Sequence, residues 1–323
     1  MRIVLCYPVE AKHLAQIAAA APHAEIVNAG QEGVARELLA ADIFCGHAKV
    51  PVDWPAVVSQ RRLQWIQSSA AGLDHCLVPA VVESSITVTS ASGVLADQVA
   101  EHALALTGAL CRDLPTFFRA QQRREFIRRP TRDLHHSTIG IVGLGGVGRR
   151  LAEVLTPYRV RILATDWYPV DRPAHVEALW PPERLPELLG QVEILFLCAP
   201  LTEHTRGMIG RAELAQLRPG SLLVNVARGP LVVEEALADA LESGHLAGAA
   251  LDVTEVEPLP SSSRLWALPN CLITPHVAGQ SARRIDNMTD FFCENLRRYH
   301  AGEPLRNLVD KRLGFPIRTP TGN

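Results

Sequence analysis

The sequence predicts an α/β fold built from two doubly wound parallel-sheet domains. Three observations lead to this expectation. Short apolar segments alternate with helical segments along most of the 323 residues. Several of the apolar segments are apolar on both faces, which is typical of strands in a buried parallel sheet. A long helical stretch separates an earlier alternating series from a later one, as a connector between two such domains would.

The first series occupies residues 1–100 and alternates strand-like and helix-like segments. Segments such as "HLAQIAAAA" and "GVARELLA" read as helices between strands. Four strands are expected, at "RIVLCY", "ADIFCG", "LQWIQSS" and "ITVTSA". From about Asp97 to Arg129 the pattern is helical, and Pro130 ends it.

The second series has clearer strands that recur every 20–30 residues. The expected strands are "STIGIVG" (137–143), "VRILATD" (160–166), "VEILFLCAP" (192–200), "SLLVNVAR" (221–228), "LAGAALDV" (246–253) and "NCLITPH" (270–276). The tail that follows reads as an amphipathic helix ending before a Gly-Glu-Pro turn.

Composition narrows the classes of function. Hydrophobic residues make up 47% and charged residues 20%, with a formal net charge of −2. This balance argues against a nucleic-acid or membrane-surface partner. The start "MRIVLCYP" is too short an apolar run for a signal peptide, and "HALALTGALC" is about half of a membrane span. Seven scattered cysteines, without metal-like spacing, suggest reduced thiols, a cytoplasmic setting and no metal site.

A glycine loop in "IGIVGLGGVGRRLAEVL" predicts a dinucleotide site. Gly143, Gly145 and Gly148 form GxGxxG between a strand and a helix, which permits a tight turn, close approach of a pyrophosphate and close helix packing. The amides of Gly146 and Val147 would face the phosphates. Asp166 ends the next strand, where a carboxylate accepts hydrogen bonds from ribose hydroxyls and repels a 2′-phosphate. We therefore expect a Rossmann-like domain that prefers NAD to NADP.

Charged side chains at the ends of later strands predict the chemistry. Arg228 follows "LLVNVA", Asp252 and Glu257 follow "LAGAAL", and His276 follows "CLITP". Ligands of an open parallel sheet bind beyond the carboxyl ends of its strands, so these side chains share the cofactor edge. A guanidinium binds a carboxylate, and a histidine donates or accepts a proton at a carbonyl oxygen. Each of these residues taken alone has an ordinary structural explanation; it is the set that suggests catalysis.

Six motifs together resemble the D-isomer-specific 2-hydroxyacid dehydrogenases. They are "SSAAGLDH", "GLGGVG", "LCAPLTEHTRGMI", "VNVARGPLV", "ALDVTEVEPLP" and "ITPHVAG". The resemblance implies two Rossmann-like or flavodoxin-like domains with the active site in the cleft between them. It places the substrate-binding domain at 1–99 plus 286–323 and the NAD-binding domain at 100–285. It also implies a homodimer formed through the connector segment.

The resemblance assigns roles to individual residues. Arg228 is expected to bind the substrate carboxylate and carbonyl, His276 to act as acid/base, and Glu257 to be its partner. Asp252 is expected to hold the nicotinamide amide, and the backbone amides of Ala71 and Gly72 to grip the substrate carboxylate. The remaining expected cofactor contacts are Ala199, Pro200, Thr205, Val226, Ala227 and Gly279.

The motifs also bear on the specific activity. Glu257 argues against formate dehydrogenase activity, because the formate dehydrogenases of this family pair the histidine with a glutamine. The sequence departs from the family pattern at Val256, at Phe126 and in the stretch Tyr158–Val160. We expect these departures to affect packing and loop stiffness rather than chemistry. "QSSAAGLD" offers no arginine to a substrate phosphate, which favours glyoxylate, hydroxypyruvate or another short 2-keto acid.

Two alternatives to a small-keto-acid reductase stay open on the sequence. One is a phosphoglycerate dehydrogenase. In that case we expect it to lack the regulatory domain of longer relatives, because the sequence ends soon after the last helix. The other is an NAD-sensing corepressor-like binding protein. The leading expectation is an NAD(H)-dependent D-2-hydroxyacid dehydrogenase, an oxidoreductase acting on the CH–OH group.

Overall fold

The computed structural model describes residues 1–318, which form two compact units. Of the described residues, the first unit comprises 1–95 and 281–318, and the second comprises Ala96–Gln280. Each unit is built on one parallel sheet, so the predicted α/β class with doubly wound sheets is confirmed. The assignment of one unit to substrate and the other to cofactor stays a prediction.

The first unit holds a five-stranded sheet in the order β2-β1-β3-β4-β5, the flavodoxin-like order. Its strands are β1 (Arg2–Cys6), β2 (Glu25–Asn28), β3 (Ile43–Gly46), β4 (Trp65–Ser68) and β5 (Thr87–Thr89). Its first four helices are α1 (Ala11–Ala20), α2 (Gly30–Glu37), α3 (Trp54–Ser59) and α4 (Pro79–Glu83). Near the end of the chain follow helix α11 (Arg284–Ala301) and a small hairpin, β13 (Val309–Asp310) with β14 (Phe315–Pro316).

Alternate residues of these strands enter separate cores on the two faces of the sheet. Val4 and Phe44 pack in one core, whereas Ile3 and Ile43 pack in the other. This follows from the two-residue period of a strand. Both faces of this sheet are therefore apolar.

Buried hydrogen bonds explain why the last helix belongs to the first unit. Asn295 of α11 donates from Nδ2 to Gln67 Oε1 of β4 at 3.0 Å. The hydroxyls of Tyr7 and Thr289 are 3.2 Å apart. These paired polar groups fix the position of α11 on the sheet, because an unpaired buried partner would be costly.

The second unit holds a seven-stranded sheet in the order β12-β11-β10-β9-β6-β7-β8. Its first strands are β6 (Thr138–Val142), β7 (Arg161–Thr165), β8 (Ala178–Trp180) and β9 (Ile194–Leu197). Its later strands are β10 (Ser221–Asn225), β11 (Leu246–Leu251) and β12 (Cys271–Ile273). Counted from β6 this is the classic dinucleotide-binding order, which reverses between β6 and β9.

Six helices complete the second unit. They are α5 (Ala96–Cys111), α6 (Leu114–Gln122), α7 (Gly146–Leu155), α8 (Leu185–Leu189), α9 (Arg211–Gln216) and α10 (Glu234–Glu242). None of the helices formed by residues 1–318 is long and apolar enough to cross a membrane.

Two details of the sequence prediction are wrong. The continuous helix expected from Asp97 to Arg129 is broken at Asp113, which has a φ of 52°, and helical structure ends at Gln122. The strands β2 and β8 were not expected. Both lie at a sheet edge and have only four and three residues, so neither shows the long apolar run of a central strand.

Candidate active site

The glycine loop after β6 is packed too tightly for side chains. Gly143 has a φ of +91°, and a Cβ there would lie 2.6 Å from the backbone nitrogen of Ala199. A Cβ on Gly148 would lie 2.2 Å from the carbonyl oxygen of Gly143. Gly145 then caps α7, whose first amides, those of Gly146 and Val147, have no partner within the helix. The strand, the turn and the helix N-terminus thus form a backbone cradle suited to an anion.

Asp166 lies immediately after β7 and is fixed against this cradle. Its Oδ2 accepts the Leu144 N–H at 2.6 Å, and its Oδ1 accepts the Tyr168 N–H at 2.9 Å. A carboxylate oxygen has two lone pairs, so both oxygens can still accept from hydroxyl groups. The predicted ribose-binding carboxylate is therefore held in one orientation.

The loop after β9 borders the same cradle. Ala199 is buried, and Thr205 closes the loop by donating to the Pro200 carbonyl at 2.7 Å and accepting the Thr202 N–H at 2.8 Å. Burial raises the pKa of the Cys198 thiol to about 12, so this thiol stays neutral.

The loop after β10 carries Arg228 and is ordered by a buried asparagine. Val226 and Ala227 continue directly from the strand, and Ala227 donates its N–H to Asn225 Oδ1 at 3.1 Å. Asn225 Nδ2 donates to the Arg228 carbonyl at 2.9 Å. A Cβ on Gly229 would lie 1.9 Å from the Thr254 carbonyl carbon, so this loop packs directly on the loop after β11.

His276 and Glu257 form a hydrogen-bonded pair. His276 Nδ1 lies 2.8 Å from Glu257 Oε2, and the Thr254 N–H donates to Glu257 Oε1 at 3.2 Å. Both side chains are partly open to solvent, at 48% for the histidine and 39% for the glutamate. Within residues 1–318 no hydrogen bond joins Arg228 to this pair; its guanidinium donates to the Ala227 carbonyl at 2.7 Å.

The turn that carries His276 is wound around Asp252, whose side chain is buried. Asp252 Oδ1 accepts from the Thr274 hydroxyl at 2.6 Å and the Val277 N–H at 2.9 Å. Its Oδ2 accepts the Ala278 N–H at 2.8 Å, and its carbonyl accepts the His276 N–H at 2.8 Å. Asp252 therefore fixes the backbone on both sides of the histidine.

The remaining predicted residues lie in two places. Gly279 follows the His276 turn, in the second unit. Ala71 and Gly72 lie in the first unit, in the loop after β4. That loop is held by the Ala91 N–H, which donates to the Ala70 carbonyl at 3.0 Å.

The family model described as "D-isomer specific 2-hydroxyacid dehydrogenase, NAD binding domain" matches residues 104–278. The chain belongs to this family. It is an oxidoreductase that acts on CH–OH donors with a nicotinamide dinucleotide. The predicted family and enzyme class are confirmed.

Individual family members share about a third of their residues with this dehydrogenase. A glyoxylate reductase of Thermofilum pendens is 33% identical over 81% of this chain and 79% of its own length. A glycerate dehydrogenase of Methylorubrum extorquens is 30% identical over 81% of this chain and 83% of its own. A family member from Xanthobacter autotrophicus Py2, solved with NADPH and MES, is 32% identical with a TM-score of 0.83 and covers 97% of this chain and 99% of its own.

The residues of the dehydrogenase fit a dinucleotide at the glycine loop. The test is the backbone geometry: a Cβ on Gly143 would collide with the backbone of Ala199, and a Cβ on Gly148 with the carbonyl oxygen of Gly143. Glycines therefore allow the tight turn that leads into α7, whose first amides are free of partners within the helix and can bind an anion. Gly146 and Val147 would hold the diphosphate, and Asp166 the adenosine ribose. Thr205 closes the loop after β9, which borders the glycine loop.

Several contributors to the site were not predicted. Asn225 is a polar residue within the apolar run "LLVNVA", and Gly229 stands between Arg228 and Pro230. These two exceptions to the local pattern are the signals that could have identified them. Thr254 and Thr274 act through hydrogen bonds to Glu257 and Asp252, and no feature of their sequence surroundings indicates that role.

Proposed function

We propose that the protein is an NAD(H)-dependent D-2-hydroxyacid dehydrogenase that interconverts a small 2-keto acid and its 2-hydroxy acid, with His276 as acid/base. When bound, the nicotinamide supplies the hydride that reduces C2, or accepts it in the reverse direction. His276 Nε2 donates a proton to the keto oxygen as that oxygen gains charge. In oxidation the same nitrogen takes the hydroxyl proton.

The observation that carries this proposal is the 2.8 Å contact between His276 Nδ1 and Glu257 Oε2. An ionised carboxylate only accepts hydrogen bonds, so Nδ1 carries the hydrogen and Nε2 is left for proton exchange. Glu257 is itself held by the Thr254 amide. The arrangement resembles the orienting carboxylate of other histidine acid/base sites.

Arg228 is proposed to bind the substrate carboxylate and to polarise the keto group. Its loop is fixed by Asn225, and within residues 1–318 its guanidinium has one hydrogen bond, to the Ala227 carbonyl. A guanidinium has five N–H donors, so it retains donors for a bidentate carboxylate. The amides of Ala71 and Gly72 are assigned to the same carboxylate, and Asp252 and Gly279 to the nicotinamide end, by the family resemblance.

Glyoxylate and hydroxypyruvate are the substrates we favour. Relatives at 30% identity or above include proteins named glyoxylate reductase and glycerate dehydrogenase, and also D-3-phosphoglycerate dehydrogenases, of which this chain covers about half. NAD is favoured because the Asp166 carboxylate would repel a 2′-phosphate. The relative solved with NADPH is the reason to test both cofactors.

The test is a panel of 2-keto acids run with NADH and with NADPH. It contains glyoxylate, hydroxypyruvate, pyruvate and 3-phosphohydroxypyruvate. We expect faster NADH oxidation with glyoxylate or hydroxypyruvate than with the phosphorylated acid. A preference for the phosphorylated acid would indicate a phosphoglycerate dehydrogenase. No turnover above background, together with NADH-dependent dimerisation, would indicate a corepressor-like binding protein.

We also propose a homodimer in the cytoplasm. Apolar side chains are exposed along α6 and the segment after it, with Phe126 at 91% and Phe118 at 58%. Such a patch favours a protein interface. Light scattering of Phe118→Ser/Phe126→Ser should report a monomer if the patch joins two copies, and an unchanged dimer would contradict this. The seven free thiols favour a reducing compartment.

A further inference from the structure

A histidine on α5 reaches the turn that carries His276. His102 Nε2 lies 3.0 Å from Thr274 Oγ1 and 3.4 Å from Asp252 Oδ1. The His102 side chain is 23% exposed, whereas that of Asp252 is 1% exposed. The reaction proposed above assigns no role to His102, since in the described part of the chain its ring forms no hydrogen bond with Glu257 or His276.

The direction of the hydrogen bonds is fixed by the carboxylate. The Thr274 hydroxyl has one proton, and at 2.6 Å it donates that proton to Asp252 Oδ1. The hydroxyl oxygen can then only accept from His102, so Nε2 of His102 carries a hydrogen. A chain of donors therefore runs from His102 through Thr274 to Asp252. Such chains polarise and orient their members.

Asp252 in turn holds His276 in an uncommon backbone conformation. The φ of His276 is +54°, a left-handed value that non-glycine residues rarely adopt. It persists because the amides of His276, Val277 and Ala278 all donate to Asp252. Rotation of the Asp252 carboxylate would release at least two of these amides. The direction of the His276 imidazole thus depends on how that carboxylate is oriented.

We infer that His102 is a positioning residue for His276, acting through Thr274 and Asp252. The inference rests on the proposed acid/base role of His276. The donor on His102 keeps the Thr274 hydroxyl pointing at Asp252 Oδ1, which leaves Oδ2 to the Ala278 amide. Without that donor the hydroxyl can rotate, and the turn loses its preferred orientation.

The experiment compares His102→Leu with His102→Gln, because glutamine can place an N–H donor where Nε2 stands. Single-turnover NADH oxidation is measured with the keto acid that the wild type reduces fastest. We expect His102→Leu to slow this step by about ten- to a hundredfold, the range for losing a hydrogen bond that serves a charged group. We expect His102→Gln to stay within about threefold of the wild type. The Kd for NADH and the KM for the keto acid should change much less than the rate.

Thr274 supplies a second pair of variants in case His102→Leu does not fold. Thr274→Val removes the hydroxyl and should match His102→Leu, whereas Thr274→Ser should retain the rate. The double variant should be little worse than either single one, because both break the same chain. Thr107→Val is the matched control: the Thr107 hydroxyl lies on the same helix and donates to the Ala103 carbonyl, at 2.7 Å. It should leave the rate unchanged.

The outcomes separate this inference from the proposed function. If the wild type reduces no keto acid, the proposed function fails. The ring signals of His276, assigned by NMR through their loss in His276→Ala, then test the inference alone; they should shift in His102→Leu and not in Thr107→Val. The inference is overturned if His102→Leu reacts at the wild-type rate, if His102→Gln falls as far as His102→Leu, or if those ring signals do not move.

Discussion

The carboxyl-terminal strand edges of the two sheets carry different kinds of side chain. In the second unit three carboxylates, those of Asp166, Asp252 and Glu257, each accept at least one backbone N–H. In the first unit the corresponding loops hold two imidazoles, His47 and His75, stacked with ring centroids 3.9 Å apart. The same topological position thus supports different chemistry.

The difference lies in which side chains occupy the loops at the two sheet edges, carboxylates in the second unit and imidazoles in the first. A carboxylate that accepts backbone N–H groups orders the loop that supplies them. In the first unit, burial and the neighbouring His47 lower the pKa of His75 to about 4. Carboxylates order one edge, whereas the other edge holds the His75 imidazole, which is neutral near pH 7. A parallel sheet positions the loops at its carboxyl edge, and the side chains in those loops determine the chemistry.

The largest effect is expected where two loops of the second unit touch through backbone. In Gly229→Ala the new Cβ would meet the Thr254 carbonyl at 1.9 Å. We expect a loss of about 3 kcal/mol or more in the free energy of unfolding, since backbone must move. Chemical denaturation measures this loss.

Gly108→Ala is the control for that variant. Gly108 lies inside α5, and a Cβ there meets nothing within 4 Å. Alanine should therefore stabilise the protein by about 0.5–1 kcal/mol. Equal stability of the two variants would mean that the loops after β10 and β11 are not packed as described.

The next effect tests the neutral imidazole of the first unit. The folded pKa of His75, about 4, lies below its ordinary value of 6.5, so the unfolded chain binds a proton that the folded chain refuses. Above pH 6.5 the ring is neutral in both states and costs no stability. As the pH falls from 6.5 to 4, the free energy of unfolding decreases, because only the unfolded chain binds the proton. The loss reaches about 3 kcal/mol in total.

Unfolding free energies of the wild type and His75→Gln, measured between pH 7 and pH 4, check this prediction. The variant should lose less stability over that range, with the exposed His23→Gln as the control. Parallel pH curves for the wild type and His75→Gln would refute the buried neutral state.

The smallest effect concerns cofactor choice at the anionic edge. Asp166→Asn removes the charge but keeps a carbonyl acceptor for one of the two amides. We expect the preference for NADH over NADPH, as a ratio of kcat/KM values, to fall by about tenfold. Asp171→Asn, which neutralises an exposed aspartate in the same loop, should leave the ratio unchanged. If the two variants change this ratio equally, Asp166 does not determine the choice between NADH and NADPH.

Sequence patterns predicted the sheets and the strand-end residues because both follow from local rules. The apolar runs specified the central strands, and parallel topology then placed Asp166, Asp252 and His276 at one edge. The edge strand β8 was not predicted because its three residues stand between Glu177 and Pro181, whereas the equally short edge strand β12 is part of the longer segment "NCLITPH". The hydrogen bonds of His102 and Thr274 could not be predicted either, because residues 172 positions apart meet only in the fold.

The most direct measurement of the central claim is a single turnover of His276→Ala. With NADH bound and a saturating keto acid, we expect NADH oxidation to slow by at least about a hundredfold, the usual minimum contribution of a positioned acid. The Kd for NADH should stay close to that of the wild type, because the glycine loop is untouched. The exposed His23→Ala should react at the wild-type rate. A wild-type rate in His276→Ala, or an equal loss of NADH binding and turnover, would contradict the acid/base role.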